Sequence, residues 1–228
     1  MCNTKKNLFN TNQNQSDCQK GFTLVELIIA MLISGIVIIS IYTAFRSQQR
    51  SYLAQEQVSE MQQNIRAGVG LMVNEIRMAG YDPEQTENYG INGTQTDVDT
   101  LQFTADLNDD GGSPGSGEIF LYELYDSDSN GNNDSLRRTP GGSAVANHIE
   151  ELEFYYIMAD ESRTLTPANP DDIRGVEISI LARAAKPDHT FSNTATYTTA
   201  SGTVWGPYND SHRRRFHTVT VQCRNMGL

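Results

Sequence analysis

The sequence contains few of the residues from which a metal centre or an active site is usually built. Its three cysteines form no CxxC pair and no cysteine and histidine spacing of the zinc-binding kind, so we expect no zinc site. The sequence also lacks a nucleophile elbow, a phosphate-binding glycine loop and an HExxH motif. The four histidines are scattered along the chain: His148, His189, His212 and His217. We therefore predict that the protein is not an enzyme.

Positive charge is also scarce, since 17 lysines and arginines stand against 28 aspartates and glutamates, and the net charge is -11. Nucleic-acid binding normally needs a broad positive surface, which this balance opposes. Residues 22–45 contain no proline and one charge, Glu26. A helix over these 24 residues, at about 1.5 Å each, is long enough to cross a hydrocarbon core of about 30 Å. We predict that this apolar run anchors the chain in a membrane.

The apolar run has three interpretations. A cleaved secretory signal has an apolar core of about 7 to 15 residues and a small-residue cleavage site behind it. This run is longer, and the following stretch "IYTAFRSQQR" offers no such site. An uncleaved signal anchor fits the length. Processing in front of the run, between Gly21 and Phe22, would instead leave the helix in the mature protein.

The residues around that junction, "KGFTLVELIIAMLISG", resemble the class III signal of type IV prepilins and type II secretion pseudopilins. The resemblance implies that an inner-membrane prepilin peptidase cuts after Gly21 and methylates the new amino terminus on Phe22. It also places the family's glutamate, five residues into the mature chain, on Glu26, which in a filament would pair with the amino terminus of a neighbouring subunit. Residues 1–21 are then a leader peptide.

Glu26 has a physical reason to seek a partner. An ionised side chain costs about 2.5 to 3.5 kcal/mol at the centre of a spanning helix and less near its end. Cleavage would create a cationic amine one turn away, and the helix N-terminus adds a positive partial charge. The alternative is that Glu26 lies at headgroup depth and reaches water without a role in assembly.

The leader has a basic balance, which favours a cytoplasmic amino terminus before processing, although Arg46 and Arg50 beyond the apolar run reduce this bias. The family resemblance implies the same orientation, with the remainder periplasmic. The charges of the leader are Lys5, Lys6 and Lys20 against Asp17. Removing this charge of +2 leaves -13 for the mature chain. Cys2 and Cys18 lie in the leader, so the mature chain retains only Cys223 and forms no internal disulfide.

The sequence pattern after the leader predicts an α+β fold. Apolar residues recur every three or four positions through residues 46–80, which predicts that the membrane helix of residues 22–45 continues as an amphipathic spine. Gly80 and Pro83 predict its end. Residues 81–228 predict a head with an antiparallel β-sheet packed against the second half of the spine, as in the type IV pilin-like fold that the resemblance implies. Strands are predicted at Asp97–Thr104, Glu118–Tyr125, Ile149–Met158, Gly175–Ala182 and Phe216–Cys223, and a short helix at "GSAVANHIEE".

Within this family the chain looks most like the minor pilins of the PilW type, on the stretches "VNEIRMAGYDP", "LQFTADLNDDG", "IEELEFYY" and "RRRFHTVTVQCRN". This likeness implies a subunit that primes and caps a type IV pilus. Its partners would be other minor and major pilins, the prepilin peptidase, the inner-membrane assembly platform and the lipid bilayer. Its final location would be the pilus at the cell surface. A J-type pseudopilin of type II secretion, or a pilus-tip adhesin or DNA-uptake subunit, remains an alternative.

Two loops have the alternating acidic pattern of calcium sites, with three oxygen-bearing side chains before a glycine. The first offers Asp106, Asn108 and Asp110, and the second offers Asp126, Asp128 and Asn130. Neither completes an EF-hand, although Glu118 lies one residue beyond the twelfth position of the first loop. A solvated turn, which aspartate and asparagine favour for backbone reasons, is the alternative. A calcium ion here would hold a loop together rather than do chemistry.

Arg213, Arg214 and Arg215 form the basic cluster of the sequence. They admit three interpretations: capture of DNA, solvated side chains before the last strand, or contacts with carboxylates of neighbouring acidic subunits. The net charge of the mature chain opposes the first, so nucleic acid is not an expected partner.

Overall fold

The computed structural model describes residues 21–86, 89–129 and 131–227. Residues 1–20 of the predicted leader and Asn130 of the second acidic loop lie outside the described residues. Within the described part, one long helix, α1 (Leu24–Ile76), precedes ten strands. The strands are β1 (Leu101–Thr104), β2 (Ile119–Tyr125), β3 (Ser135–Thr139), β4 (Ala144–Asn147), β5 (Ile149–Met158), β6 (Arg163–Thr164), β7 (Ile173–Arg183), β8 (Tyr197–Thr198), β9 (Val204–Trp205) and β10 (Arg214–Gln222). A 3-10 turn at Pro170–Asp172 precedes β7.

The chain divides into two compact units between Arg50 and Ser51, and α1 contributes residues to both. In the first unit the helix is apolar on every side, and its large apolar side chains from Leu24 to Phe45 are 48% to 75% exposed. A helix of a soluble domain normally buries an apolar stripe and leaves the opposite face polar. Among the described residues, α1 is the one helix long and apolar enough to cross a membrane.

In the second unit α1 is amphipathic, as its residue spacing predicted. Met61, Ile65, Val69, Met72 and Ile76 are all buried. Each buried side chain of this size contributes roughly 1.5 to 3 kcal/mol. The helix ends three residues before the predicted Ala79 because its last turn tightens, and the chain then leaves through Gly80 at φ 74, a left-handed conformation that favours glycine.

The predicted α+β architecture is confirmed, and the five predicted strands are found as β1, β2, β5, β7 and β10. The single predicted sheet is instead two four-stranded antiparallel sheets, ordered β1-β2-β3-β4 and β10-β7-β5-β6, with a separate β8-β9 hairpin. The short helix predicted at "GSAVANHIEE" is wrong, because this stretch forms β4 and the start of β5. His148 separates these strands at φ 58, so a single residue in the left-handed region carries the chain from one sheet to the other.

The core lies between the second half of α1 and the two sheets. Gly68 marks the closest approach, since a Cβ atom there would lie 2.9 Å from Leu136 Cδ2 and 3.2 Å from Ala146 Cβ. A polar contact fixes the helix further along. Glu75 accepts hydrogen bonds from the Tyr122 hydroxyl at 2.5 Å and from Arg138 Nε at 2.9 Å, and its second oxygen lies 2.7 Å from Arg138 Nη2. The helix is thereby joined to β2 and β3 at one defined register.

Candidate functional site

The predicted processing junction is open to solvent. Gly21 and Phe22 lie just before α1, outside any helix or strand, and Phe22 is 84% exposed. A Cβ atom at Gly21 would meet no heavy atom within 4 Å. Within the described residues, nothing therefore obstructs an enzyme at this peptide bond.

The start of α1 has an N-terminal cap that sequence reasoning missed. Thr23 Oγ1 accepts a hydrogen bond from the Glu26 backbone N–H at 3.2 Å, and the Thr23 carbonyl accepts from Leu27 N–H at 3.2 Å. Threonine followed three residues later by glutamate is the capping-box pattern, and "TLVE" in the sequence could have revealed it. The cap places Glu26 in the first helical turn.

Glu26 is exposed in that first turn. A carboxylate there interacts favourably with the positive end of the helix macrodipole, a contribution of about 0.3 to 1 kcal/mol on an exposed surface. The Glu26 carboxylate thus has a local role at the positive end of the helix and a predicted one as a partner for an amino terminus. Thr23 helps to separate the two, because its hydroxyl caps the helix through the Glu26 backbone N–H and takes no part in the predicted pairing.

A second candidate site lies in the loop between β1 and β2. Carboxylate oxygens of Asp106, Asp110 and Glu118 lie within 4.8 Å of one another. Asp106 and Glu118 are buried, and Asp110 is exposed. Three charges at this spacing repel strongly, since each pair costs roughly 3 kcal/mol at an effective dielectric constant of about 20. None of the ion pairs formed by the described residues involves these three side chains.

Backbone amides of the same loop hold these carboxylates in place. Glu118 Oε2 accepts from Gly115 N–H at 2.8 Å, and Glu118 Oε1 accepts from Leu107 N–H at 3.3 Å. Asp106 Oδ2 accepts from Gly111 N–H at 3.2 Å. The predicted ligand Asn108 instead braces its neighbour, because its side-chain amide donates to Asp110 Oδ2 at 2.9 Å and its carbonyl accepts from Asp110 N–H. Glu118 takes the third place in the group.

Two buried oxygens at this site lack partners. Asp106 is fully buried, yet its Oδ1 has no hydrogen-bond partner in the described part of the chain. The buried hydroxyl of Tyr89 likewise lacks one there. Desolvation, and then the negative charges of Asp106, Glu118 and Asp110, raise the pKa of Tyr89 to about 12. The loop therefore carries a concentrated negative potential around a buried acceptor.

The second acidic loop is organised differently. Asp126 Oδ2 accepts from Gly131 N–H at 2.6 Å, and Asp134 Oδ1 accepts from both the backbone N–H and the hydroxyl of Ser127. Burial raises the pKa of Asp134, but the hydrogen bonds from Ser127 and Ser135 outweigh it and hold this pKa below its usual value. The described residues of this loop, which include Asp126 and Asp128, bring no three carboxylates together as the first loop does.

The arginine cluster is not one surface. The Arg214 side chain is 1% exposed and lies between Glu150 and Asp210, over the ring of Tyr208 at 3.8 Å. Arg214 is therefore removed from the predicted surface contact, because Glu150 of β5 and the segment that carries Tyr208 and Asp210 cover it. Arg213 is 30% exposed and is held by Asp188 at 2.9 Å, which leaves Arg215 as the exposed member without a described ion pair.

Comparison with known families matches residues 17–42 to the prokaryotic N-terminal methylation motif. The matched residues contain the Gly21-Phe22 junction, the Thr23 cap and the apolar first part of α1. A search of curated proteins finds no significant match. Among solved structures the chain is similar to a type IV-like pilin from Thermus thermophilus, with a TM-score of 0.43 and 15% identity over 73% of this chain and 97% of that chain.

The motif supports the pilin superfamily. A methylation motif followed by a long apolar helix is also consistent with membrane anchoring. The candidate functional site of the first unit is thus the accessible junction at Gly21 and Phe22 with Glu26 one turn beyond it.

Proposed function

We propose that this chain is a minor pilin of the PilW type, which helps to prime and to cap a type IV pilus after cleavage between Gly21 and Phe22. The observation that carries the proposal is the N-terminal methylation motif at residues 17–42, placed directly on the accessible start of α1. The stretches of the head that resemble PilW-type subunits support the finer assignment.

In this proposal the prepilin peptidase hydrolyses the Gly21-Phe22 peptide bond and methylates the new amine on Phe22. The resulting cation lies one helical turn from Glu26 of its own chain. In the filament the cation lies next to the Glu26 carboxylate of a neighbouring subunit. Pairing with the neighbour fixes the axial position of the incoming subunit as its helix leaves the lipid. The pairing is effective there because apolar surroundings weaken screening of the two charges.

The exposed apolar face of α1 supports the same assembly. Side chains from Leu24 to Phe45 need apolar cover, which lipid tails supply before assembly and neighbouring helices supply in the filament. The subunit would therefore reside in the inner membrane with its head periplasmic, and then in the pilus at the cell surface. Its partners are other minor and major pilins, and the assembly platform moves them.

A J-type pseudopilin of type II secretion is the second candidate, because the methylation motif serves both assemblies. Incorporation distinguishes them: a pilus subunit is recovered in sheared surface filaments, whereas a pseudopilin is required for protein secretion. A DNA-uptake or adhesin role at the tip draws less support, since Arg214 is buried in ion pairs and the mature chain carries a charge of -13.

The first test is the intact mass and amino-terminal sequence of the membrane-extracted protein, from cells with and without the prepilin peptidase. We expect a mature chain that begins at N-methylated Phe22 only when the peptidase is present. An uncut chain in both strains would refute the proposal and leave a signal-anchored protein.

The second test separates the two roles of Glu26. Glu26→Ala should leave processing intact and reduce incorporation into filaments, whereas Thr23→Ala, which removes the cap hydroxyl, should leave incorporation near normal. Glu56→Ala, an exposed glutamate further along α1, is the matched control. Equal losses in the Glu26 and Thr23 variants would refute the pairing role, because incorporation would then depend on the stability of the start of α1.

A further inference from the structure

We propose that Asp106, Asp110 and Glu118 bind a calcium ion that holds the β1–β2 loop closed. The site is independent of the proposed pilin role, because it rests only on the loop of the second unit. Its ligand set includes Glu118, which lies outside the sequence pattern, whereas the Asn108 side chain is engaged in hydrogen bonds with Asp110.

The first support is geometric. Oxygens that share a calcium ion lie 2.3 to 2.6 Å from it, so two of them on opposite sides are roughly 5 Å apart. The three carboxylate oxygens of the group lie within 4.8 Å of one another, which fits this limit. Magnesium demands near-ideal octahedral geometry at about 2.1 Å, which irregular carboxylates on a loop meet poorly.

The second support is the unpartnered Oδ1 of the fully buried Asp106. A buried acceptor without a hydrogen bond is costly, and a buried carboxylate needs a counter-charge. Within the described chain no lysine or arginine forms an ion pair with any of the three carboxylates. A divalent cation satisfies both requirements at once.

The loop is attached to the end of α1, so the ion would act on more than its own segment. Asp106 N–H donates to the Tyr81 carbonyl at 2.8 Å, and Gly80 N–H donates to the Thr104 carbonyl at 3.0 Å. Ala105 N–H donates to the Glu118 carbonyl at 3.1 Å and closes the loop at its base. An ion at Asp106 therefore ties the turn after the helix to the start of β2.

The experiment measures thermal unfolding of the full chain, purified in detergent, in chelator and in calcium chloride. At a free calcium concentration about 100 times the dissociation constant, we expect the midpoint to rise by roughly 5 to 10 °C. Magnesium at the same concentration should give a much smaller rise. An equal response to magnesium would overturn the calcium assignment, and no response to calcium would overturn the site.

Asp106→Asn gives the decisive comparison, because the substitution keeps the shape and removes one of the repelling charges. In chelator this variant should be as stable as the wild type or more so, whereas in calcium it should be less stable. Its calcium affinity by calorimetry should fall at least about 10-fold. Such a reversal of order cannot come from a folding defect.

Asp109→Asn is the matched control, since it removes a carboxylate from the same loop at φ 56, which asparagine tolerates, without touching the three proposed ligands. We expect its calcium response to match that of the wild type. A full calcium response in Asp106→Asn, or an equal loss in Asp109→Asn, would overturn the proposal, because the effect would then belong to the second acidic loop or to general charge screening.

Discussion

Replacing Arg214 should test how much a buried ion pair stabilises the head. It is 1% exposed, and its guanidinium contacts two carboxylates, with Nη2 donating to Glu150 Oε1 at 2.9 Å and to Asp210 Oδ2 at 2.7 Å. Burial lowers the pKa of Arg214, but these hydrogen bonds outweigh it and keep the pKa above its ordinary value. The ring of Tyr208 covers the cation at 3.8 Å.

Replacing Arg214 with methionine keeps the apolar stem and leaves both carboxylates without their cation. Breaking a buried ion pair from one side costs about 3 to 5 kcal/mol. Glu150 and Asp210 retain 18% and 34% side-chain exposure, so water recovers part of this loss. We therefore expect a loss near 3 kcal/mol, or a fall in the unfolding midpoint of roughly 6 to 12 °C for a head of this size.

Arg215→Met is the matched control for this substitution. Arg215 precedes Phe216 on the same strand and is exposed, so its replacement should change stability by no more than about 0.5 kcal/mol. Thermal or urea unfolding of the two variants side by side makes the comparison. A shift in Arg214→Met no larger than in Arg215→Met would refute the reasoning. The result also bears on DNA capture, since loss of binding in a triple arginine variant would reflect unfolding as well as lost contacts.

The same contact predicts a dependence on pH. The hydrogen bond from Arg214 is the main cause that lowers the pKa of Asp210 to about 2 in the folded chain, against about 3.9 when unfolded. A lowered folded pKa stabilises the protein above the unfolded value, and this contribution is lost as the pH falls towards 2. The stability gap between wild type and Arg214→Met should thus be constant from pH 7 to 5 and shrink from about pH 4 to 2. A gap that is unchanged at pH 2 would contradict this assignment.

Two further predictions concern the core. Tyr122→Phe removes the hydroxyl that donates to Glu75 but leaves the ion pair of Glu75 with Arg138. Urea unfolding should therefore show a free energy of unfolding lower by about 1 to 2 kcal/mol, and an unchanged midpoint would count against the contact. Burial raises the pKa of the Cys223 thiol to about 12, so a thiol reagent at pH 8 should label Cys223 only when the protein unfolds. Rapid labelling of the folded chain would show that the thiol is accessible.

Residue order alone indicated the features that depend on local periodicity. The buried stripe from Met61 to Ile76 and the predicted strands β1, β2, β5, β7 and β10 repeat with the period of their own element. The apolar run of residues 22–45 is recognised by its length. The strands that were missed, such as β3 with the sequence "SLRRT", are short or polar and carry little periodic signal. The junction at Gly21 and Phe22 is likewise a contiguous motif, which needs no fold to be recognised.

Tertiary structure alone decided which distant residues meet. Pairing of Thr104 with Ile119 closes the β1–β2 loop and brings Glu118 to Asp106, whereas residue spacing by itself favoured Asn108. Alternation along β10 places Arg214 and Arg215 on opposite faces of the strand, but only the tertiary structure brings Glu150 and Asp210 to Arg214 and buries it. The periodicity of apolar residues is a property of each helix or strand and can be seen in its own sequence. Contacts between elements depend instead on register and sheet order, which a single sequence does not specify.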